Sequence, residues 1–536
     1  MNILKRFFTE IIQFPFHPLI LGIYPVVTLY AWNQGETGFD AAVRLLLVCL
    51  TIAVILFALL RLALHDWFKA ALLASLILVL FYSYGHVYAE IKSAELLGVI
   101  IGRHRYLAGT WLLLLAGFGW LILLVKSDLT IFTRMINLFA IVLIAIPLYQ
   151  IVDYSIRAES ASRAVVAPRG GVQSLQAAID QPLPDIYLII LDKYARDDVL
   201  LEEFDYDNAP FLEELRSRGF YVAQCSQSNY SYTGVALSSE LNLDYLQEMR
   251  PEYFVPANSA DRTLLSQMVR HSVVRESLEQ LGYTMVDISS HEPIQIKDAA
   301  VFIDPNDRLV TNASADLFIN PFEAMFIRTT ALAFPLDMDI ARNRQVANAV
   351  NYPFLKHLRA QQYVLASADR IISARSPKFV LYHIDIPHPP FVFGPNGETY
   401  QRPEDVPGYD LPAGDTAAQE ENQKKLYRDQ VIFINKQIIP IIDKIISESP
   451  TRPVIILQGD HGTDGLNRMA ILNSYYVPEA VQTRLFPGIS PVNSFRLLFD
   501  GLFGTHYGLL PDVSYYSYAT TLYDFSINLD TRQECK

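Results

Sequence analysis

Val454-Ile455-Ile456-Leu457-Gln458-Gly459-Asp460-His461-Gly462 is an apolar run halted by glycine and followed at once by a carboxylate and an imidazole. Four aliphatic residues in succession predict a strand buried on both faces, as in parallel sheets covered by helices. Such a strand delivers Asp460 and His461 into the crevice beyond its C-terminal end, where ligands of α/β sheets collect. Far upstream, Asp185-Ile186-Tyr187-Leu188-Ile189-Ile190-Leu191-Asp192 has the same form, an apolar run closed by an acid. An isolated Asp-His-Gly reads equally as a helix cap or a surface pair. Two buried strands of one sheet, each ending in a carboxylate, instead put hard oxygen ligands at one rim and point to a metal ion.

The chain between these strands alternates in the same way. Residues 208–218 predict a helix before a strand at 220–223, and 272–281 a helix before a strand at 283–288. A helix over 353–374 leads into a strand at 379–383, and one over 426–447 leads into 454–457. Helices alternating with strands predict an α/β sheet with helices on both faces. After the strand at 379–383 comes His383-Ile384-Asp385-Ile386-Pro387-His388-Pro389-Pro390-Phe391, which brings His383 and His388 to the same rim in a proline-stiffened loop, where either reads as functional or as a structural histidine bonded to a backbone carbonyl. In Ser228-Asn229-Tyr230-Ser231-Tyr232-Thr233-Gly234-Val235 a polar loop becomes an apolar helical pattern, so Thr233 falls near a helix N-terminus that favours anions. Thr233 also reads as a plain helix cap, and Ser231, Ser238 and Ser239 are rival hydroxyls. Lys193 and Arg468 offer phosphate contacts, or ordinary exposed cations.

The first 152 residues differ in kind from the rest. Five apolar runs, at 15–33, 41–62, 67–88, 106–125 and 133–152, are each long enough for a helix crossing a ~30 Å hydrocarbon core. Lys5, Arg6, Arg61, Lys69, Lys126 and Arg134 fall on one side, against Arg44, Lys92, Arg103 and Arg105 on the other, which puts the N-terminus inside and everything after residue 152 outside the cell membrane. This part has a charge of +3 and the remaining 384 residues −16, giving the total of −13. An acidic domain without a basic stripe excludes nucleic acid as its partner. Residues 153–183 read as a linker or a surface-lying helix leading into the domain that follows. Asn320 to Met338, carrying Phe322, Phe326 and Phe334 with few charges, reads as a core helix or an apolar lid at the lipid interface. Of the three cysteines, Cys49 lies in an apolar run, while Cys225 and Cys535 are free to pair in an oxidising compartment.

Taken in order, strand-ending Asp192, the Asn229 to Asn242 segment with Thr233, Pro387-His388-Pro389-Pro390-Phe391, Asp460-His461-Gly462 and Pro491-Val492-Asn493-Ser494-Phe495-Arg496 resemble the sulfatase-like branch of the alkaline phosphatase superfamily. Spans followed by an outer catalytic domain are similar to lipoteichoic acid synthases and phosphoethanolamine transferases. The resemblance implies a multi-span helical membrane domain, then a sulfatase-like domain over 184–505 with a central mixed, mostly parallel sheet, and a tail at 506–536. It implies one divalent ion (Mn, Mg, Zn or Ca) held by Asp192, Thr233, Asp460 and His461. Thr233 would be the nucleophile and His388 would serve the leaving group; outside that carried-over set, His383, Lys193 and Arg468 are the candidates for contacting substrate. True sulfatases carry a modifiable Cys or Ser before Pro and Arg, and a second acid where this chain has Lys193. The expected activity is therefore transfer of a phospho-group, of phosphoglycerol or phosphoethanolamine type, from a phospholipid donor to an envelope glycan or lipid. A sulfatase-like hydrolase and a non-catalytic envelope scaffold are the alternatives.

Overall fold

The computed structural model describes residues 14–34, 38–92, 95–96, 99–100, 103–162, 167–176, 182–249, 259, 262–289, 294–305, 320–337, 352–400 and 417–530. The chain divides into two compact units, Met1–Arg157 with Leu317–Pro353, and Ala158–Asp316 with Phe354–Lys536.

The first unit is built on helices α1 (His17–Asn33), α2 (Phe39–Leu64), α3 (Trp67–Ile91), α4 (His104–Leu124) and α5 (Thr130–Ser162). Four stretches, Phe39–Leu64, Trp67–Ile91, His104–Leu124 and Thr130–Ile156, are long and apolar enough to cross a membrane. α1 has 17 residues, about 25 Å at ~1.5 Å per residue, and packs on α2 and α3. Small residues let these helices approach: Ala42, Ala53, Ala70, Ala71 and Ala74 are wholly buried. The outward side chains are large and apolar, as with Leu112 and Leu113, which suits a hydrocarbon solvent.

A helix from outside the N-terminal part of the sequence, Pro321–Thr329, completes this unit. Asn320 caps it in a reciprocal box with Glu323, and Asn320 Nδ2 donates to Ala41 O at 2.9 Å. Arg44 clamps the Glu323 carboxylate, Nε donating to Oε1 at 2.7 Å and Nη2 to Oε2. Phe322 and Phe326 are buried in one cluster with Val26, Ala42, Leu45 and Tyr82. Of the two readings of this segment, core helix or lid, the buried aromatic side chains fit the core helix, and the core is that of the first unit, where its aromatic face packs on α2 and α3. Met338 lies outside the described residues.

The second unit contains a seven-stranded sheet made of β1 (Ile186–Leu191), β2 (Tyr221–Val222), β3 (Thr284–Ser289), β4 (Val301–Phe302), β5 (Lys378–Ile384), β6 (Val454–Gln458) and β7 (Asn473–Tyr476). Their order is β2-β7-β6-β1-β5-β3-β4; the β7 pairings are antiparallel and all others parallel. Alternation along β1 shows why the sequence reads as unbroken apolar. Tyr187, Ile189 and Leu191 enter one core, and Ile186, Leu188 and Ile190 enter another on the opposite face. Central β1 pairs with both β5 and β6, so the ends of all three strands share one edge. At the other edge Lys378 Nζ meets Asp185 Oδ2 at 2.7 Å and donates to Ile372 O and Ala374 O, a buried structural pair.

Two expected boundaries move. Residues 153–183 are not a free linker throughout, since α5 runs to Ser162 and Arg169 binds Asp244, Nη2 to Oδ1 at 2.8 Å. The expected tail at 506–536 supplies β8 (Val513–Tyr516) and β9 (Ile527–Asp530), which pair antiparallel, and Leu522 and Tyr523 are buried in a cluster with Tyr230. Cys225 is disulfide-bonded, and its expected partner Cys535 lies outside the described residues.

Candidate active site

Each acid at the shared edge is held by backbone geometry. Asp192 follows β1 directly, and its N–H donates to Ile384 O at 2.9 Å. Lys193 next to it adopts a left-handed φ of 64°, a conformation a non-glycine residue holds at a cost. Its N–H donates to Asp460 Oδ1 at 3.1 Å, joined there by the N–H of His461 at 2.9 Å. One oxygen of Asp460 is thereby anchored. Glycines make the turn: a Cβ at Gly459 would strike Tyr194 O, and one at Gly462 would strike Asn467 O and Ala470 O.

The free sides of these groups converge. Asp192 Oδ2 lies 3.3 Å from His383 Nε2, and Asp192 Oδ1 lies 3.7 Å from His461 Nε2. His461 Nε2 is also 3.7 Å from Asp460 Oδ2, while Nδ1 is 2.9 Å from Gly462 O. Ligand atoms of Asp192, His383 and Asp460 lie within 4.8 Å of one another, and so do those of Asp192, Asp385 and His388. Ligands at ~2.0–2.6 Å from one ion fall within about 5 Å of each other, so this donor set fits a divalent cation. The buried oxygens Asp192 Oδ1 and Asp460 Oδ2 accept no hydrogen bond, which is costly for a carboxylate unless a cation faces it.

Charge at the site is tightly coupled. Burial alone would raise the Asp192 carboxyl, yet the charges of His388, His383 and His461 hold it well below the usual range. Burial opposes a charge on His383, but its bond to Asp192 and the fields of Asp192, Asp385 and Asp460 push it up to about 9. Burial, with Asp192 nearby, lifts Asp385 to about 6. His461 is lowered, chiefly by burial.

Thr233 is the first residue of α6 (Thr233–Leu241), and the preceding Tyr232 is the extended N-cap residue, without a side-chain cap bond. Among the rival hydroxyls, Ser238 Oγ donates to Leu265 O at 3.1 Å, Ser239 Oγ to Asp244 O at 2.7 Å, and Ser231 Oγ accepts from Ser517 N at 2.9 Å. All three serines are wholly buried. Arg468 connects this loop to the acids: Nη2 is 3.2 Å from His461 Nε2, Nε donates to Ser231 O, and the guanidinium lies 4.4 Å over the Tyr232 ring. Lys193 Nζ pairs with Asp464 at 3.1 Å. His383, expected to face substrate, is wholly buried against Asp192, because it is still within β5, whereas His388 beyond the strand is half-buried.

Sequence reading missed the layer behind the acids. Gln458 Nε2 donates to Glu240 Oε2 at 2.6 Å, and burial pushes the Glu240 carboxyl up to about 8. A polar Gln closing an apolar strand, and an acid inside the apolar pattern of α6, were the available signals.

These features define a chain with membrane-capable helices and an α/β domain whose clustered carboxylates and imidazoles are placed as ligands for a divalent cation. No family model and no curated protein matches the chain. Solved structures similar to it include the integral membrane lipooligosaccharide phosphoethanolamine transferase A of Neisseria meningitidis, at 10% identity and TM-score 0.38, covering 91% of this chain and 95% of that chain. The C-terminal periplasmic domain of EptC from Escherichia coli matches at 14% identity and TM-score 0.37, over 62% and 86%. A 2-O GAG sulfatase matches at 14% identity and TM-score 0.38, over 63% and 78%. At these identities and scores the chemistry rests on the residues of this chain.

Proposed function

We propose that this protein is a membrane-bound, metal-dependent transferase that moves a phospho-group from a phospholipid donor to an envelope glycan or lipid. The observation that carries this reading is the pair of buried, unbonded oxygens, Asp192 Oδ1 and Asp460 Oδ2, whose carboxylates cluster with His383 and which each lie 3.7 Å from His461 Nε2. Asp192, Asp460 and His461 would hold one divalent ion with the Thr233 hydroxyl, and His383 joins that set or fixes Asp192. Bound there, the ion would lower the hydroxyl pKa and offset charge on the phosphate. Thr233 Oγ1 attacks phosphorus at a helix N-terminus whose free N–H groups favour the anion. His388 gives a proton to the departing oxygen, and Lys193 and Arg468 contact the phosphate. An acceptor hydroxyl then takes the phospho-group from Thr233.

The test is incubation of the purified protein with headgroup-labelled phospholipid, with and without glycan. Label in the glycan, and a trapped phospho-enzyme mapping to Thr233, is the expected result. Thr233→Ala should lose turnover by several orders of magnitude while remaining folded, and Thr233→Ser should keep part of it. Label released to water alone would favour the hydrolase. Absence of turnover with every metal would favour the scaffold. Normal turnover of Thr233→Ala with loss in Ser231→Ala would move the nucleophile.

A further inference from the structure

The segment carrying Thr233 is tied to the strand that leads to Asp460 on both sides of the threonine. Ahead of Thr233, Ser228 Oγ donates to Asp460 O at 2.6 Å, and both residues are buried. Beyond it, Gln458 Nε2 at the end of β6 donates to Glu240 Oε2, also at 2.6 Å. Thr233 opens α6 and Glu240 is its last residue but one, about two turns on, so the two side chains share one face of the helix ~10 Å apart. That face meets the sheet, because Leu237 and Leu241 of α6 share a core with Ile190 and Ile456. Gln458 continues the alternation of Val454 and Ile456 onto the same side. Two atoms of the pair remain: Glu240 Oε1 and Gln458 Oε1 are both buried, and neither meets a donor. Two acceptors cannot satisfy each other, so an ionised Glu240 would leave both bare. One proton removes the conflict. Placed on Glu240 Oε1, it is donated to Gln458 Oε1 while Gln458 Nε2 donates back to Glu240 Oε2, a closed ring of two hydrogen bonds. Burial, aided by the charge of Asp460, pushes the Glu240 carboxyl in the same direction.

We propose that Glu240 is a positioning residue of this enzyme: as a neutral acid it forms a double hydrogen bond with Gln458 that fixes α6, and Thr233 at its head, against the strand end leading to Asp460. The inference rests on the phospho-transfer reading above and adds the residue that sets its geometry. Thr233 is short and has a single stiff side-chain torsion, so the place of its Oγ1 is decided by the place of α6. The Ser228 bond holds the chain ahead of Thr233 and the Glu240 pair holds it behind, so the helix can neither slide along the sheet nor tilt away from Asp460. Misplacing a reacting group by about 1 Å can cost on the order of a hundredfold in rate. Glu240 touches neither substrate nor ion in this arrangement and acts through Gln458 and α6.

The experiment compares the full-length parent in detergent with Glu240→Gln and Glu240→Leu. Glutamine keeps both bonds as an amide–amide pair, whereas leucine fills the space and keeps neither. Infrared difference spectra of the parent against Glu240→Gln should show the carbonyl band of a protonated carboxyl that the variant lacks. With headgroup-labelled phospholipid, Glu240→Gln should transfer label at close to the parent rate, and Glu240→Leu should lose about a hundredfold in kcat with KM unchanged. A merely structural role would lower the amount of folded protein and leave kcat per folded molecule alone. Should Glu240→Leu fail to fold, Gln458→Glu replaces it. That variant sets two acids face to face and should lose rate, and adding Glu240→Gln rebuilds the acid–amide pair with the roles exchanged and should recover it. Absence of the protonated-carboxyl band, or a Glu240→Leu protein as fast as the parent, would overturn the inference while leaving the transferase intact. A parent that transfers no label sinks the transferase reading and this role together.

Discussion

Asp460 divides its two oxygens between structure and chemistry. Oδ1 is fixed by the N–H groups of Lys193 and His461, while Oδ2 accepts nothing and faces His461. Asp460→Asn keeps the anchored oxygen but loses the charge, so it should fold normally and bring down far less metal in elemental analysis; full metal content would show that the ion sits elsewhere. Behind it, Glu240 is pushed up to about 8 and Asp287, also by burial, up to about 7. Both bind a proton in the fold that the unfolded chain releases near pH 4. Their contribution is therefore fully present below the unfolded value and is lost as pH rises through the folded one. The second unit should lose on the order of a few kcal/mol between pH 5 and pH 8, and Glu240→Gln should flatten that decline in thermal unfolding followed across pH. Asp192 and Asp460 stood out in the sequence because Asp192 closes an apolar run and Asp460 follows one directly after Gln458-Gly459. Glu240 and the burial of His383 did not, because they depend on which strands and helices meet.

Local pattern predicted the elements of the α/β sheet well where both faces are buried. It failed where an element crosses between units of the fold. Pro321–Thr329 carries an ordinary amphipathic pattern, and nothing within it says that its apolar face fits α2 and α3 rather than the sheet. The pairing of Arg44 with Glu323, 279 residues apart, is equally invisible from either residue alone. Two predictions belong to this helix. Phe326→Ala removes a ring 5.8 Å from Tyr82 in a close-packed cluster and should cost about 3 kcal/mol, seen as a lower melting temperature in detergent. Arg44→Ala leaves Glu323, 8% exposed, without its cation. Because Arg44 is itself 55% exposed, solvent screening should hold that loss to on the order of 1–2 kcal/mol. Adding Glu323→Gln should recover part of it; an additive double variant would mean the pair contributes nothing.

Counting Lys and Arg put the acidic domain outside by six against four, but packing within the first unit gives a separate handle on the same question. The Pro321–Thr329 helix touches the start of α2 through Ala41 and Arg44 and the far part of α3 through Tyr82. Ala331 N, just past it, donates to Phe81 O. These points share one end of the bundle, and the chain must return there after leaving α5, so the far end of α5 belongs to the same side. Which side that is turns on whether α1 crosses. His17 at its start bonds Ser75, early in α3, and Asn137, early in α5; Tyr30 near its end meets Phe39 edge-on, and Gln34 reaches Gln150 O. α1 thus runs from one end of the bundle to the other despite its 17 residues. If the N-terminus is inside and α1 crosses with the other four helices, five crossings would put residues 158–316 and 354–536 outside, in an oxidising compartment where a Cys225 disulfide would persist. Alkaline phosphatase fused after Lys536 should be active and a cytoplasmic reporter fused there silent. Deleting residues 1–34 leaves four crossings and should exchange the two results; if the phosphatase fusion stays active after that deletion, α1 does not span and the topology rests on the other four helices.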